Sequence, residues 1–202
     1  ALREAADWSA RSAILVQRVS EALAQSREVS ALDLCTGTGS NLRYLLNRLP
    51  GRQRWLVVDR DSTLLGEVPA TLSAWAHRNA CGVTTDGIVS HVRGGRLDAR
   101  IETRQMNLGE LEAAIFDGRN LVTASALLDL VSESWLQLLA ARCQAAGASA
   151  LFSITYKGQS SCDPVEPEDE MVRELMNLHQ KTDKGLGGPA AGPDAWAVAE
   201  RV

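Results

Sequence analysis

The stretch "LDLCTGTGSNLRYLL", residues 32 to 46, brings together residue types suited to hold a small polar ligand. An apolar run carrying Asp33 breaks at Gly37 and Gly39 and then resumes with helical spacing. A strand that ends in a tight glycine turn and feeds a helix aims bare backbone N–H groups and the positive end of the helix dipole at one spot. Glycine also lets the backbone approach a ligand with no Cβ in the way. A second acid, Asp59, closes the apolar run "WLVVD", where it is either a ligand contact or a plain strand-end charge. Ionisable groups concentrate again in "HQKTDKG", with His179, Lys181, Asp183 and Lys184 just ahead of a glycine-rich stretch. A histidine there can act as a base near neutral pH. A solvated helix end, with its lysines near the negative end of the dipole, explains the same residues without function.

Composition narrows the classes. The 202 residues are 45% apolar and 23% charged, as in an ordinary globular domain with a sizeable core. No stretch approaches the roughly 20 apolar residues of a spanning helix, and residues 1 to 30 show no signal-peptide core, so a cytoplasmic protein without a membrane partner is expected. Cys35, Cys81, Cys143 and Cys162 lie far apart without a C-x-x-C pair or a close histidine, which predicts reduced thiols and no metal. A formal charge of −4 leaves no footprint for nucleic acid, although Arg93, Arg96, Arg100 and Arg104 cluster on what reads as a solvated hairpin face.

The elements that position these residues alternate strand-like and helix-like patterns, the signature of a parallel α/β sheet. Residues 7 to 26 read as one helix behind Asp7, and "EVSALDLC" as a buried strand. A helix over 40 to 49 stops at Pro50-Gly51, a second strand spans 54 to 59, and Asp61 caps the helix that follows, with Pro69 splitting the helical region. A hairpin turns at Gly94-Gly95, and its second arm, 97 to 106, is the third main strand. The fourth strand covers 119 to 124, a helix capped by Ser132 covers 132 to 146, and "ASALFSITYKG" supplies the fifth strand. A charged helix over 166 to 181 leads into "KGLGGPAAGPD", residues 184 to 194, which reads as a loop able to serve as a lid.

Four features in order carry a resemblance: "LDLCTGTGSNL", the acid closing "WLVVD", the pair Asn107-Leu108 after the third strand, and "TASALLDLVS" after the fourth. Together they resemble the class I S-adenosylmethionine-dependent methyltransferases over residues 29 to 156. The resemblance implies a Rossmann-like doubly wound sheet in main strand order 3-2-1-4-5, with the donor S-adenosylmethionine, and its product S-adenosylhomocysteine, across the carboxyl ends of the early strands. It implies a single domain over 1–202: an N-terminal helical segment (1–28), a cofactor-binding core (29–156), and an acceptor-side helix with the glycine-rich loop (157–202). Leu42 stands where a dinucleotide-binding G-x-G-x-x-G places its third glycine, which disfavours NAD.

Residue by residue, the resemblance implies that Asp33 anchors the methionyl ammonium and that Gly37, Thr38, Gly39 and Asn41 form the turn around it. Cys35 stands where the family's first glycine usually is. Asp59 accepts from both ribose hydroxyls, with Arg60 beside it; Asn107 and the Leu108 N–H meet the adenine, and Ser125 ends the fourth strand at the donor. A turn asparagine is the other reading of Asn107. Methyl transfer needs in-line alignment, and an O–H or N–H acceptor also needs a base. Asp129 and His179 are the candidate bases, and Tyr156, Lys157, Lys181, Asp183 and Lys184 the candidate contacts to a small-molecule acceptor. A donor-binding module without activity, and an aminopropyl transferase using a decarboxylated donor, are the alternatives. The family's last two strands have no counterpart after the fifth, and either a homodimer covering the edge this leaves or a truncated chain is expected.

Overall fold

The computed structural model describes residues 4–109, 111–153 and 155–202. In chain order the elements are α1 (Glu4–Ser9), α2 (Ala13–Leu23), β1 (Val29–Leu34), α3 (Ser40–Leu46), β2 (Arg52–Asp59), α4 (Ser62–Gly66), α5 (Val68–Arg78), β3 (Gly82–Asp86), β4 (Val89–Gly94) and β5 (Leu97–Gln105). They continue with β6 (Leu121–Ser125), α6 (Glu133–Ala146), β7 (Ser149–Ser153), α7 (Asp169–Gln180) and α8 (Ala195–Ala199). The expected fifth strand runs on through Ile154, which lies outside the described residues, as do residues 1–3 of the N-terminal segment.

All six residues of β1 are buried, as befits a central strand packed on both faces. β1 pairs in parallel with β2, setting Leu34 opposite Val58, and with β6, setting Asp33 opposite Thr123. The seven-stranded sheet has the order β3-β4-β5-β2-β1-β6-β7. Its parallel part, β5-β2-β1-β6-β7, is the 3-2-1-4-5 order of the main strands. Alternate residues divide two cores. Ala31, Trp55, Val57 and Ile101 pack with Leu42, Leu45 and Trp75 from α3 and α5, while Leu32, Leu34, Val58 and Val122 pack with Trp135 and Leu139 from α6.

Two strands beyond the parallel part make the sheet mixed. β3 and β4 add an antiparallel extension beside β5, and among the described residues no strand follows β7. The hairpin at Gly94-Gly95 is where the sequence places it, but β3 is an addition to that reading, because its residues are mostly exposed and carry no apolar alternation. Arg93, Arg100 and Arg104 on this part of the sheet pair with Asp98 and Glu102.

The N-terminal segment corrects the single helix expected over 7 to 26. It breaks at Ser12, which is extended and whose hydroxyl accepts the Leu15 N–H as the cap of α2, while Asp7 sits inside α1. The break lets the side chain of Arg11 cross to β6 and β7. The glycine-rich loop is also corrected, from a free lid to a docked one. Leu186 is buried in the second core, its carbonyl accepts the Ser132 N–H, and the Ala191 N–H donates to Val131.

Gly94 is required by close approach. A Cβ there would lie 2.8 Å from Cys81 Cα and 2.9 Å from the Ala80 carbonyl oxygen, whereas one at Gly95 meets nothing but has to adopt φ +57°. Urea denaturation should show Gly94→Ala losing about 2–3 kcal/mol from overpacking. Gly95→Ala should lose only about 1 kcal/mol from left-handed backbone strain.

Candidate functional site

The site begins with a buried acid. Asp33 is fully buried at the carboxyl end of β1, where Oδ2 accepts from Thr36 Oγ1 at 2.6 Å and Oδ1 from Asn41 Nδ2 at 2.7 Å. Asn41 Nδ2 also donates to Thr123 Oγ1 at 3.0 Å, tying α3 to β6. Burial pushes the Asp33 carboxyl up to about 6, outweighing the two hydrogen bonds and the attraction of Arg11. Asp33 has no exposed surface, and both its oxygens hold the turn through Thr36 and Asn41.

That turn has three left-handed residues, Cys35 (φ +50°), Gly37 (φ +56°) and Gly39 (φ +80°). Glycine suits this conformation and cysteine does not, so the turn must be held from outside. Thr36 N–H donates to the Val58 carbonyl, Gly39 N–H to the Thr36 carbonyl, and Gly37 N–H to Asp59 Oδ2 at 2.8 Å. The Thr38 carbonyl accepts from Arg43, itself buried and paired with Glu4 at 2.9 Å. The expected row of bare amides is thus reduced, since the Gly37 and Gly39 N–H groups have protein acceptors. Burial, with Asp59 and Asp33 nearby, pushes the Cys35 thiol up to about 12, so it stays protonated and non-nucleophilic.

Asp59 grips both sides of the β2 end, since its other oxygen, Oδ1, accepts from Asp61 N–H at 3.0 Å. Each carboxylate oxygen keeps a further acceptor position. Asp59 and Cys35 border a cavity of about 480 Å³ whose apolar walls are Leu108, Leu127 and Leu130. Arg60, Asp183, Lys184 and Leu186 complete its lining. A larger neighbouring hollow is lined by Asn107, Gly109, Asp183 and Gly188. Asn107 Oδ1 accepts the Gly109 N–H at 3.1 Å, and the buried Leu108 is fixed by Trp135 Nε1–H donating to its carbonyl at 2.6 Å.

No family model and no curated protein matches the sequence. Solved structures match its fold. An O-methyltransferase family protein from Burkholderia thailandensis is 19% identical at a TM-score of 0.50, covering 93% of this chain and 49% of that one. A chain named as an O-methyltransferase from Nostoc punctiforme is 13% identical at 0.51, covering 94% and 48%. The N-terminal domain of EvdMO1, solved with S-adenosylhomocysteine bound, is 16% identical at 0.50, covering 93% and 69%. This chain has the class I methyltransferase fold. It spans about half the length of the two O-methyltransferases.

On the methyltransferase fold the remaining candidates separate. Asp129 lies just past β6, 7% exposed, with Oδ1 buried and unpartnered among the described residues. Burial raises its carboxyl, with the backbone amides of Asp129 and Tyr156 pulling the other way. Tyr156 and Lys157 are turned to other partners than a ligand. The Tyr156 hydroxyl donates to Asn177 Oδ1 on α7 at 3.0 Å, and Lys157 Nζ lies 4.9 Å from the centre of the Trp196 ring. His179 is exposed at the end of α7 with Lys184 Nζ at 3.3 Å, and Lys181 pairs with Asp194 at 2.8 Å. Of this group only Asp183 and Lys184 line the cavity. Ser125 Oγ accepts from Arg11, a residue that sequence reasoning missed because its partners are 30 to 142 positions away. Among the described residues no three His, Cys, Asp or Glu converge on a metal-sized space, and no helix is long and apolar enough to cross a membrane.

The raised Asp33 value fixes a pH dependence. Between about pH 4 and 6 the native carboxyl keeps a proton that the unfolded one has released, so stability falls as pH rises through that window. The shift corresponds to on the order of 3 kcal/mol. Urea denaturation from pH 4 to 7.5 should show that slope in the wild type. Asp33→Asn, which can accept from Asn41 and donate to Thr36, should flatten it and raise stability at pH 7.5.

Proposed function

We propose that this chain is one domain that binds S-adenosylmethionine across the carboxyl ends of β5, β2 and β1 and transfers its methyl group to an oxygen or nitrogen of a small molecule. The cavity at the end of β2 carries the reading, because it combines Asp59 with three leucine walls. Its composition fits a nucleoside: the two Asp59 oxygens for ribose hydroxyls, and Leu108, Leu127 and Leu130 for the faces of a planar base. In this reading Asn107, with its amide oxygen already in the turn, and the Leu108 N–H meet the base edge. The glycine turn supports a donor without a pyrophosphate. Gly37 and Gly39 direct their amides to protein oxygens, so the phosphate cradle of a dinucleotide site is lacking there.

When bound, the sulfonium supplies a methyl group already activated for displacement. The protein's part is to hold the donor, exclude water and receive a proton. Lys184 and Leu186 form the outer wall of the cavity from the docked loop. Asp129 is the proton acceptor in this reading, since its unpartnered oxygen and raised carboxyl suit a base for an acceptor O–H or N–H. His179, exposed and engaged with Lys184, is set aside for that role.

Titration calorimetry should show S-adenosylhomocysteine binding and NAD not binding, with Asp59→Ala weakening the former at least tenfold, as expected for loss of charge-assisted hydrogen bonds. Asp129→Asn should leave that affinity unchanged. Assayed by S-adenosylhomocysteine release against a panel of phenols and amines, it should lower turnover by about 10²–10⁴-fold. Equal turnover in Asp129→Asn would contradict its role as base.

A further inference from the structure

Helix α7 turns its polar side to the protein and its apolar side to solvent. None of its residues is buried. Asp169, Arg173, Asn177 and Gln180, three or four positions apart along one side, are the half-buried ones. Asn177 fixes this orientation, its Oδ1 accepting from the Tyr156 hydroxyl at 3.0 Å and its Nδ2 donating to the Gly158 carbonyl at 3.1 Å. Just past the helix, Lys181 pairs with Asp194 at 2.8 Å. On the opposite side Met171, Val172, Leu175, Met176 and Leu178 are 42–66% exposed.

A surface helix ordinarily turns such a stripe to the core. Five large apolar side chains on one exposed face, outside both cores, form the kind of patch that a partner covers. The polar side carries Asp169, Glu170 and Glu174 against Arg173, the wrong balance for an anionic lipid surface. The charges at the ends of the stripe point to the occupant. Successive helical residues turn by about 100°, which sets Glu168 at one end of the apolar side and His179 at the other. Exposed Glu166 precedes the acidic end, and Lys184 joins the other, its Nζ 3.3 Å from His179 Nε2. A face acidic at one end and basic at the other is complementary to itself when turned end for end.

We infer that the exposed face of α7 binds the same face of a second copy of this chain, the two helices packing antiparallel about a two-fold axis. With the axis between positions 173 and 174, Met171 meets the partner's Met176, Val172 the partner's Leu175, and Glu168 the partner's His179. Each of these contacts occurs twice. The helix has 12 residues and is about 18 Å long, so the seam falls at the small end of specific interfaces and a micromolar Kd is expected. The inference is independent of the donor reading above.

Sedimentation velocity of the full chain tests this, in reducing buffer so that the exposed Cys162 does not cross-link copies. Between about 1 and 200 μM, wild type should pass from monomer to dimer. Leu175→Glu, at a position already in solvent and so tolerated by the fold, should raise Kd at least tenfold. Glu168→Lys should raise it about three- to tenfold, and adding His179→Glu should restore affinity to within about threefold of wild type. A monomer throughout the range overturns the inference, as does a dimer that Leu175→Glu leaves intact. So does an effect of Glu168→Lys that is absent or that His179→Glu fails to repair, because the antiparallel pairing requires both.

Discussion

The buried carboxylate of Asp33 is the constraint on which the site depends. It sits at the point where the central strand stops being a strand, and its two hydrogen bonds reach the turn through Thr36 and the first helical residues through Asn41. A turn with three left-handed residues, one of them a cysteine, does not hold its shape by local preference. Asp33 from below, Asp59 from the side and Arg43 from the far end each fix one part of it. The cost is visible in the carboxyl pushed up to about 6, a burial penalty accepted where the chain needs a rigid corner.

From that corner the architecture extends in two directions. Asn41 links the turn to Thr123 on β6 and to Arg11, so the N-terminal segment, the turn and the β6 end form one hydrogen-bonded unit. On the other side, Gly37 and Asp61 share the Asp59 carboxylate, which joins the glycine turn to the start of α4. The cavity lies at the Asp59 end of this unit and is closed by the 184–188 loop, held down by Leu186 in the second core. The fold is shared with structures only 13–19% identical to this chain.

The central elements were legible in the sequence because buried parallel strands write themselves as apolar runs and helix starts as capping residues. β1, β2 and β6 follow from their apolar stretches, and the caps Asp61 and Ser132 accept the backbone amides that their positions predict. The edge strand β3 was illegible, since a strand exposed on most of its residues has no alternation to read. The docking of Leu186 and the reach of Arg11 were illegible for another reason. Both depend on partners brought close only by the completed sheet, and a leucine among glycines or an arginine between short helices carries no local sign of them. Asp33 lies between these cases: its place at the turn is readable, but its complete burial is a property of the packed structure.

Hydrogen exchange followed by mass spectrometry, with and without saturating S-adenosylhomocysteine, tests the central claim most directly. Bound ligand should slow exchange in the segments 35–40, 59–61 and 107–109 and in the loop 184–188, at the carboxyl ends of the strands. Binding that protects other segments and leaves these unchanged, or no binding at all, would contradict it.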